Sequence, residues 1–155
     1  MRLIPKGGND EVYTPIELCN WIIDYFKPKG KILEPCYGTG NFYQNKVFTA
    51  WNEIKMDSDF FENKDKYNWI ITNPPYSQFR AFLNHSMELA DNIVFLTSVN
   101  HFWLKARIRD MKEKNFWFKE IIVIDTPKTF PQSGFQIGIV HIQKDYKGDM
   151  KTSHN

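Results

Sequence analysis

The chain has 155 residues, 42% of them hydrophobic and 25% charged, with a formal net charge of +2 at pH 7. That size and balance suit one domain, 1–155, burying its own core. They exclude a disulfide framework or a cysteine-bound metal, because Cys19 and Cys36 have neither spacing. No apolar run reaches membrane-spanning length and no signal-peptide pattern opens the chain, so a cytoplasmic protein without membrane contact is expected. The small net charge neither requires nor excludes a nucleic-acid partner. Aromatic residues make up 16%, enough to stack on a flat ligand as well as fill a core.

In chain order, the first ten residues are polar and expected to fray, as are the last ten. Thr14-Pro15-Ile16-Glu17 reads as a capping box with proline at the first helical position. Cys19, Ile22, Ile23 and Phe26 then repeat at helical spacing until Pro28 and Gly30 end the helix. Residues 31–34 form a short strand closed by Pro35, followed by a tight Gly38-Thr39-Gly40 turn and a brief helix over 41–47. Residues 49–55 are a weak strand; 67–72 are a stronger one with three bulky apolar residues in a row. Phe79, Phe82, Leu83, Met87 and Ala90 mark an amphipathic helix, and 93–97 a near-continuous apolar strand. Leu104, Ile108 and Met111 mark a further helix, and 121–124 and 135–142 the last two strands. Continuous apolar strands separated by helices argue for an α/β protein with a mostly parallel sheet covered on both faces. The last two strands are joined by about ten residues, too few for a helical crossover, so the final strand is expected to be antiparallel.

Ligands bind at the carboxyl ends of strands in such sheets, and two unusual segments lie there. The first is "ILEPCYGTGNF", residues 32–42: a strand, an acid, a glycine turn and a helix start. Gly38 and Gly40 let backbone approach a ligand, free N–H groups at a helix start suit a carboxylate, and Glu34 suits a positive centre. The second is "IITNPPY", residues 70–76. Asn73 precedes a proline and is forced extended. Pro74 and Pro75 have no N–H, so their carbonyls can only accept. An amide oxygen and a proline carbonyl beside the Tyr76 ring suit a planar ring carrying an amino group.

"EPCYGTGNF" followed by "NPPY" resembles the S-adenosylmethionine-dependent amino-methyltransferases, and most closely the N6-adenine DNA methyltransferases, with a Rossmann-like methyltransferase fold. The resemblance covers most of the chain. "NDEVYTP", 9–15, is similar to the segment that closes over the methionine end of the cofactor, implicating Tyr13, Thr14 and Pro15. Glu34, Pro35, Gly38, Gly40 and Asn41 belong to the glycine motif. "DSDFF", 57–61, resembles the element contacting the cofactor's adenine, implicating Asp59 and Phe60. Glu53, after the weak strand, is the acid expected at the ribose hydroxyls. "FPQSGFQIGIV", 130–140, resembles a late hairpin of the target-base pocket, implicating Phe130, Ser133, Gly134 and Phe135 alongside Tyr76.

The resemblance implies methylation of adenine N6 in DNA, with Asn73, Pro74, Pro75 and Tyr76 as the catalytic residues. The target base is extruded, and Asn73 and the Pro74 carbonyl accept from its amino group while Tyr76 stacks on the ring. Cys19 lies in the first helix and Cys36, although it follows Pro35, lies inside the glycine motif, so the reaction of a cytosine-C5 methyltransferase is disfavoured. The stretch between Gly40 and Asn73 is short for this fold, so a helix is expected to be lost there. No separate target-recognition domain fits, which leaves low selectivity, a recognition subunit or homodimer, or recognition by the core alone. "NPPY" by itself also suits an amino group on RNA or a protein glutamine, and a non-catalytic cofactor- or nucleic-acid-binding subunit stays open. The compact design suits a phage or mobile-element enzyme of the restriction-modification kind. Lys105, Arg109 and Lys112 share a helix face that serves either solvent or phosphates. His85, His101 and His141 are scattered and imply no metal site.

Overall fold

Ten regular elements alternate along a computed structural model that describes residues 12–36, 40–132 and 134–155. They are α1 (Ile16–Phe26), β1 (Ile32–Glu34), β2 (Ala50–Trp51), β3 (Tyr67–Thr72), α2 (Phe79–Leu89), β4 (Ala90–Ser98), α3 (Lys105–Glu113), β5 (Phe116–Val123), β6 (Ile137–Lys144) and β7 (Lys151–His154). The strands make one seven-stranded sheet in the order β2-β1-β3-β4-β6-β5-β7. β1 runs parallel to β2 and β3, and β3 parallel to β4. β6 enters antiparallel between β4 and β5, as its short connection requires.

Both sheet faces are buried, which is why β4 reads as an unbroken apolar run. Ile93 and Phe95 pack with Phe79, Phe82, Leu83 and Met87 of α2 and Met111 of α3. Val94 and Leu96, pointing the other way, pack with Cys19, Ile22 and Ile23 of α1. α1 ends at Lys27, which adopts the left-handed conformation at φ 47° and returns its N–H to the Ile23 carbonyl.

Four local expectations are corrected. Pro15 stands at the helix cap, one position earlier than read, and no side chain caps α1. Residues 41–47 form turns rather than a helix, with Gln44 N–H bonded to the Gly40 carbonyl at 2.8 Å. Phe42 and Phe48 both drop into the core on the α1 side, and that anchoring overrides local helix preference. The weak strand over 49–55 shrinks to the two residues of β2. Finally, the C-terminal ten residues do not fray: β7 pairs parallel with β5 from Glu120↔Lys151 to Val123↔His154. All four β7 residues are exposed, so this edge strand carries no apolar alternation to betray it. Between Gly40 and Tyr67 the helical segments among the described residues are short 3-10 turns, at Ile54–Met56 and Phe60–Glu62, consistent with the expected loss of a helix.

Candidate active site

The parallel register sets the carboxyl ends of β1, β3 and β4 side by side. Glu34, the last residue of β1, is only 1% exposed. Its Oε1 accepts from the Cys36 backbone N–H at 2.8 Å and from the Thr72 hydroxyl at the end of β3. Its Oε2 is buried without a hydrogen-bond partner. Burial pushes the carboxyl well above the usual carboxylate range, the Thr72 and Cys36 bonds pull it back, and the Glu53 charge adds a smaller upward push. Glu53 lies two residues past Trp51, which pairs with Glu34 at the end of β2.

Three segments far apart in sequence converge beside Glu34. Asn73 Nδ2, just past β3, donates to the Val12 carbonyl at 2.9 Å. Asn41 Nδ2, just past the glycine turn, donates to the Thr14 carbonyl at 2.7 Å. Two asparagine amides therefore pin residues 12–14 from below, with Thr14 buried and Tyr13 44% exposed. That bond uses one of the two Nδ2 hydrogens of Asn73 and leaves the other hydrogen and the amide oxygen. Gly40 holds φ at 81°, a left-handed conformation that glycine takes without strain. Gly38 and Ser133 lie outside the described residues.

Pro74 is buried, and Pro75 adopts φ −64° and ψ 125°. The Pro75 carbonyl accepts from Gln78 N–H at 3.1 Å and closes a 3-10 turn over Tyr76–Gln78. Pro74 is therefore the member of the pair whose carbonyl that turn does not use. Tyr76 is half-buried; burial pushes its hydroxyl upward, offset by bonds from the Ser98 backbone and the Thr97 side chain.

The remaining residues divide. Asp59 Oδ1 accepts from Phe61 N–H at 2.9 Å and caps the 3-10 turn over Phe60–Glu62. Phe60 itself is 3% exposed: Phe82 stacks on it at 5.1 Å and His85 meets it edge-on at 4.7 Å. Its ring belongs to the core, which corrects its reading as an adenine contact. Phe130 is likewise buried, among Ile122, Ile124 and Ile137, and lines no surface. Phe135 is 59% exposed, on the loop between β5 and β6 together with the exposed Gly134. Pro35 is buried behind Glu34. On α3, Lys105, Arg109 and Lys112 are exposed.

Two features went unread in the sequence. A cleft of about 570 Å³ opens beside β2, lined among others by Trp51, Asn52, Asp57, Ser58, Asp59 and Tyr67. Its floor is ordered by Asn52 Nδ2 donating to Ser58 Oγ at 2.8 Å and Asn63 Nδ2 donating to Asn52 Oδ1 at 3.0 Å. The second is His101, which packs edge-to-face on Tyr76 with centroids 4.6 Å apart. No spacing marks it, because the contact spans β3, β4 and the turn after each. Among the described residues no group of three or more His, Cys, Asp or Glu is placed to hold a metal ion. Nor is any helix of those residues long and apolar enough to cross a membrane.

No protein-family model matches the chain, and no curated protein matches its sequence. Solved structures do. One is a protein of Pyrococcus horikoshii provisionally described as an RNA methyltransferase, with TM-score 0.60, 17% identity and 86% of each chain covered. Another, from Listeria monocytogenes and provisionally described as a class I S-adenosylmethionine-dependent methyltransferase, gives TM-score 0.63 and 15% identity over 89% of this chain and 62% of that one. The M protein of the type I restriction enzyme EcoKI gives TM-score 0.63 and 15% identity over 85% of this chain and 44% of that one. The chain thus spans less than two thirds of each of the last two. At these identities the likeness concerns architecture, and the chain has the Rossmann-like fold of these methyltransferases.

Proposed function

We propose that the protein is an S-adenosylmethionine-dependent methyltransferase that transfers a methyl group to the N6 amino group of adenine in DNA. The observation that carries this reading is the buried, half-unsatisfied Glu34 beside Asn73, both beneath a segment pinned by Asn41 and Asn73. A buried carboxylate oxygen without a partner is unfavourable. A cationic amino group satisfies it, which fits the amino-acid end of S-adenosylmethionine. Tyr13, Thr14, Pro15, Glu34, Pro35, Gly38, Gly40 and Asn41 are the residues proposed to hold that end. Glu53, Asp59 and the cleft beside β2 are proposed for the adenosine end. When bound, the cofactor supplies an electrophilic methyl group on a sulfonium.

The chain's own residues do the positioning. The Asn73 oxygen and the Pro74 carbonyl take the two hydrogens of an exocyclic amino group and turn its nitrogen lone pair out of conjugation. Pro75 holds the turn, and Tyr76 presents a face for the ring. Gly134 and Phe135, with Ser133 between them and β5, are proposed to close on the far side of the base. No covalent intermediate with the protein is required, so orientation and preorganised acceptors supply the rate.

The likeness to a type I restriction enzyme's M protein supports DNA as the substrate, with a recognition subunit or a second copy supplying target choice. The likeness to a protein described as an RNA methyltransferase supports the same chemistry on RNA as the second reading. Labelled S-adenosylmethionine incubated with the protein and unmethylated DNA, RNA or peptides, followed by nucleoside mass spectrometry, separates them. N6-methyldeoxyadenosine is the expected product; label confined to RNA or peptide overturns the DNA reading. Cofactor binding without transfer to any of the three overturns the enzyme.

A further inference from the structure

Charge is distributed unevenly at the carboxyl end of the sheet. Residues 92–109, running from β4 into α3, contain no Asp or Glu and three cations, Lys105, Arg107 and Arg109. Residues 126–136, joining β5 to β6, add Lys128 and no acid. The two segments meet where Val99 N–H donates to the Gln136 carbonyl at 3.0 Å, beside the Ser98↔Ile137 pairing at the end of β4. Four cations without an acid, in a chain whose net charge is +2, leave the remainder net negative. Apolar side chains are exposed beside these cations: Trp103 is 46% and Leu104 53% accessible.

The fold sets Arg107 apart from the other three. It lies three and four residues before Asp110 and Met111, both buried, and so on the inward side of α3, away from the exposed Lys105 and Arg109. Its Cζ sits 5.4 Å over the Phe79 ring. Phe79 packs on His101 at 5.1 Å, and His101 meets the Tyr76 ring at 4.6 Å, which sets the guanidinium two rings from Tyr76. The nearby acid is already committed: Asp110 accepts from Arg80 Nε and Nη2 at 2.7 and 3.0 Å and from Asn84 Nδ2 at 2.8 Å. Arg107 Nε is buried with no hydrogen-bond partner, and burial, then the Arg80 charge, act against the protonated side chain. A cation kept in such a place lowers stability, and an anion beside it offsets the loss. Arg107 is part-buried rather than enclosed, so an anion can reach it from solvent.

The extent of the surface selects the anion. A small ion needs one cation, whereas these are spread over two segments with an exposed indole among them. A planar guanidinium takes two oxygens of one phosphate, and an indole offers a face to any base. We propose that the acid-free surface formed by residues 99–109 and the connection between β5 and β6 receives the sugar–phosphate strand flanking the target base, with Arg107 gripping one phosphate and Trp103 stacking on a neighbouring base. This assignment rests on the reading of Asn73–Tyr76 as a transfer site for a nucleic-acid base.

The test measures binding without turnover. Fluorescence anisotropy of labelled DNA and RNA oligonucleotides of one sequence is followed from about 50 to about 200 mM salt with the full chain and its variants. Arg107→Met is expected to weaken binding about tenfold and make the salt slope shallower by about 1. Arg107→Lys keeps the charge, and so the slope, but recovers only part of the affinity because the two-point grip is lost. Trp103→Ala is expected to weaken binding about tenfold with the slope unchanged, since stacking releases no counterion. Lys29→Gln, which removes an exposed lysine just before β1 at the opposite end of the sheet, should stay within about twofold. The cofactor Kd, read by calorimetry, should lie within about twofold of wild type in every variant, which separates a lost contact from a damaged fold.

Wild-type affinity and slope in Arg107→Met overturn the proposal, as does a loss of equal size in Lys29→Gln, which marks net charge alone. Displacement of the oligonucleotide by polyglutamate at equal charge concentration assigns the surface to an acidic protein and also overturns it. The tighter of the DNA and RNA complexes identifies which strand the surface fits. A wild type that binds either strand through Arg107 yet methylates neither overturns the transfer-site reading and leaves the phosphate surface standing.

Discussion

Replacing Asn73 with alanine removes two things of different weight. The first is the amide oxygen proposed to accept from the substrate amino group. Losing one preorganised hydrogen-bonding group at a reacting centre costs roughly 10²–10³ in rate. The second is the Nδ2 bond to the Val12 carbonyl at 2.9 Å. That is one neutral hydrogen bond, about 1 kcal/mol, and so about fivefold in affinity for a cofactor that residues 12–15 are proposed to cover. The Asn41 bond to the Thr14 carbonyl, at 2.7 Å, still tethers the segment. Asn73→Ala should therefore lose roughly two to three decades in single-turnover transfer while its calorimetric cofactor Kd rises only about fivefold. Asn41→Ala is the control: it should show a similar affinity loss with nearly unchanged transfer at saturating cofactor. Transfer by Asn73→Ala within about tenfold of wild type refutes the acceptor role, and a loss of cofactor affinity beyond about a hundredfold refutes the division of labour between the two asparagines.

Glu34→Gln keeps an oxygen for the Thr72 and Cys36 donors while removing the buried charge. Because the Glu34 carboxyl is raised, ionising it weakens the empty protein as pH climbs above the ordinary 4.5. The variant should melt higher than wild type at alkaline pH and bind the cofactor at least about tenfold more weakly; a lower melting point there contradicts the reasoning. Asp110 is held down at about 2, chiefly by the bidentate Arg80 contacts at 2.7 and 3.0 Å. Its contribution is full above the ordinary 3.8 and lost as pH falls toward 2, so Asp110→Asn should flatten acid-induced melting in that window. Phe60→Leu should cost about 1–2 kcal/mol in denaturant unfolding yet leave the cofactor Kd within about twofold, since the ring is core. A Cβ on Gly138 meets Val99 Cγ2 at 2.6 Å and the Ile122 carbonyl oxygen at 3.1 Å. Gly138→Ala should therefore destabilise by about 1–3 kcal/mol, read from the shift in denaturation midpoint.

Much of this molecule was legible in one dimension. Apolar runs with a period of one, at 93–97 and 121–124, mark strands buried on two faces whatever surrounds them; the first sits inside β4 and the second overlaps the end of β5. Proline chemistry at 73–76 is equally local: the missing donors and the forced extended backbone act before any tertiary contact forms. A short connection rich in proline and glycine was enough to reverse β6.

What the sequence left undecided depends on partners distant along the chain. The turns over 41–47 exist because Phe42 and Phe48 reach the α1 core, and β7 exists because β5 offers an unpaired edge to a wholly polar segment. Phe60 and Phe130 looked like ligand contacts by position, but side-chain direction sent both into the core. Local order places Asn73 in an extended turn; only the fold ties its Nδ2 to the Val12 carbonyl, 61 residues away. His101 shows the same division. Its residue type and spacing carry no message, and only the ends of β3 and β4 bring Tyr76, Thr97 and its imidazole together. Periodicity and backbone restriction are written residue by residue, whereas which polar atoms meet is settled only when the strand ends align.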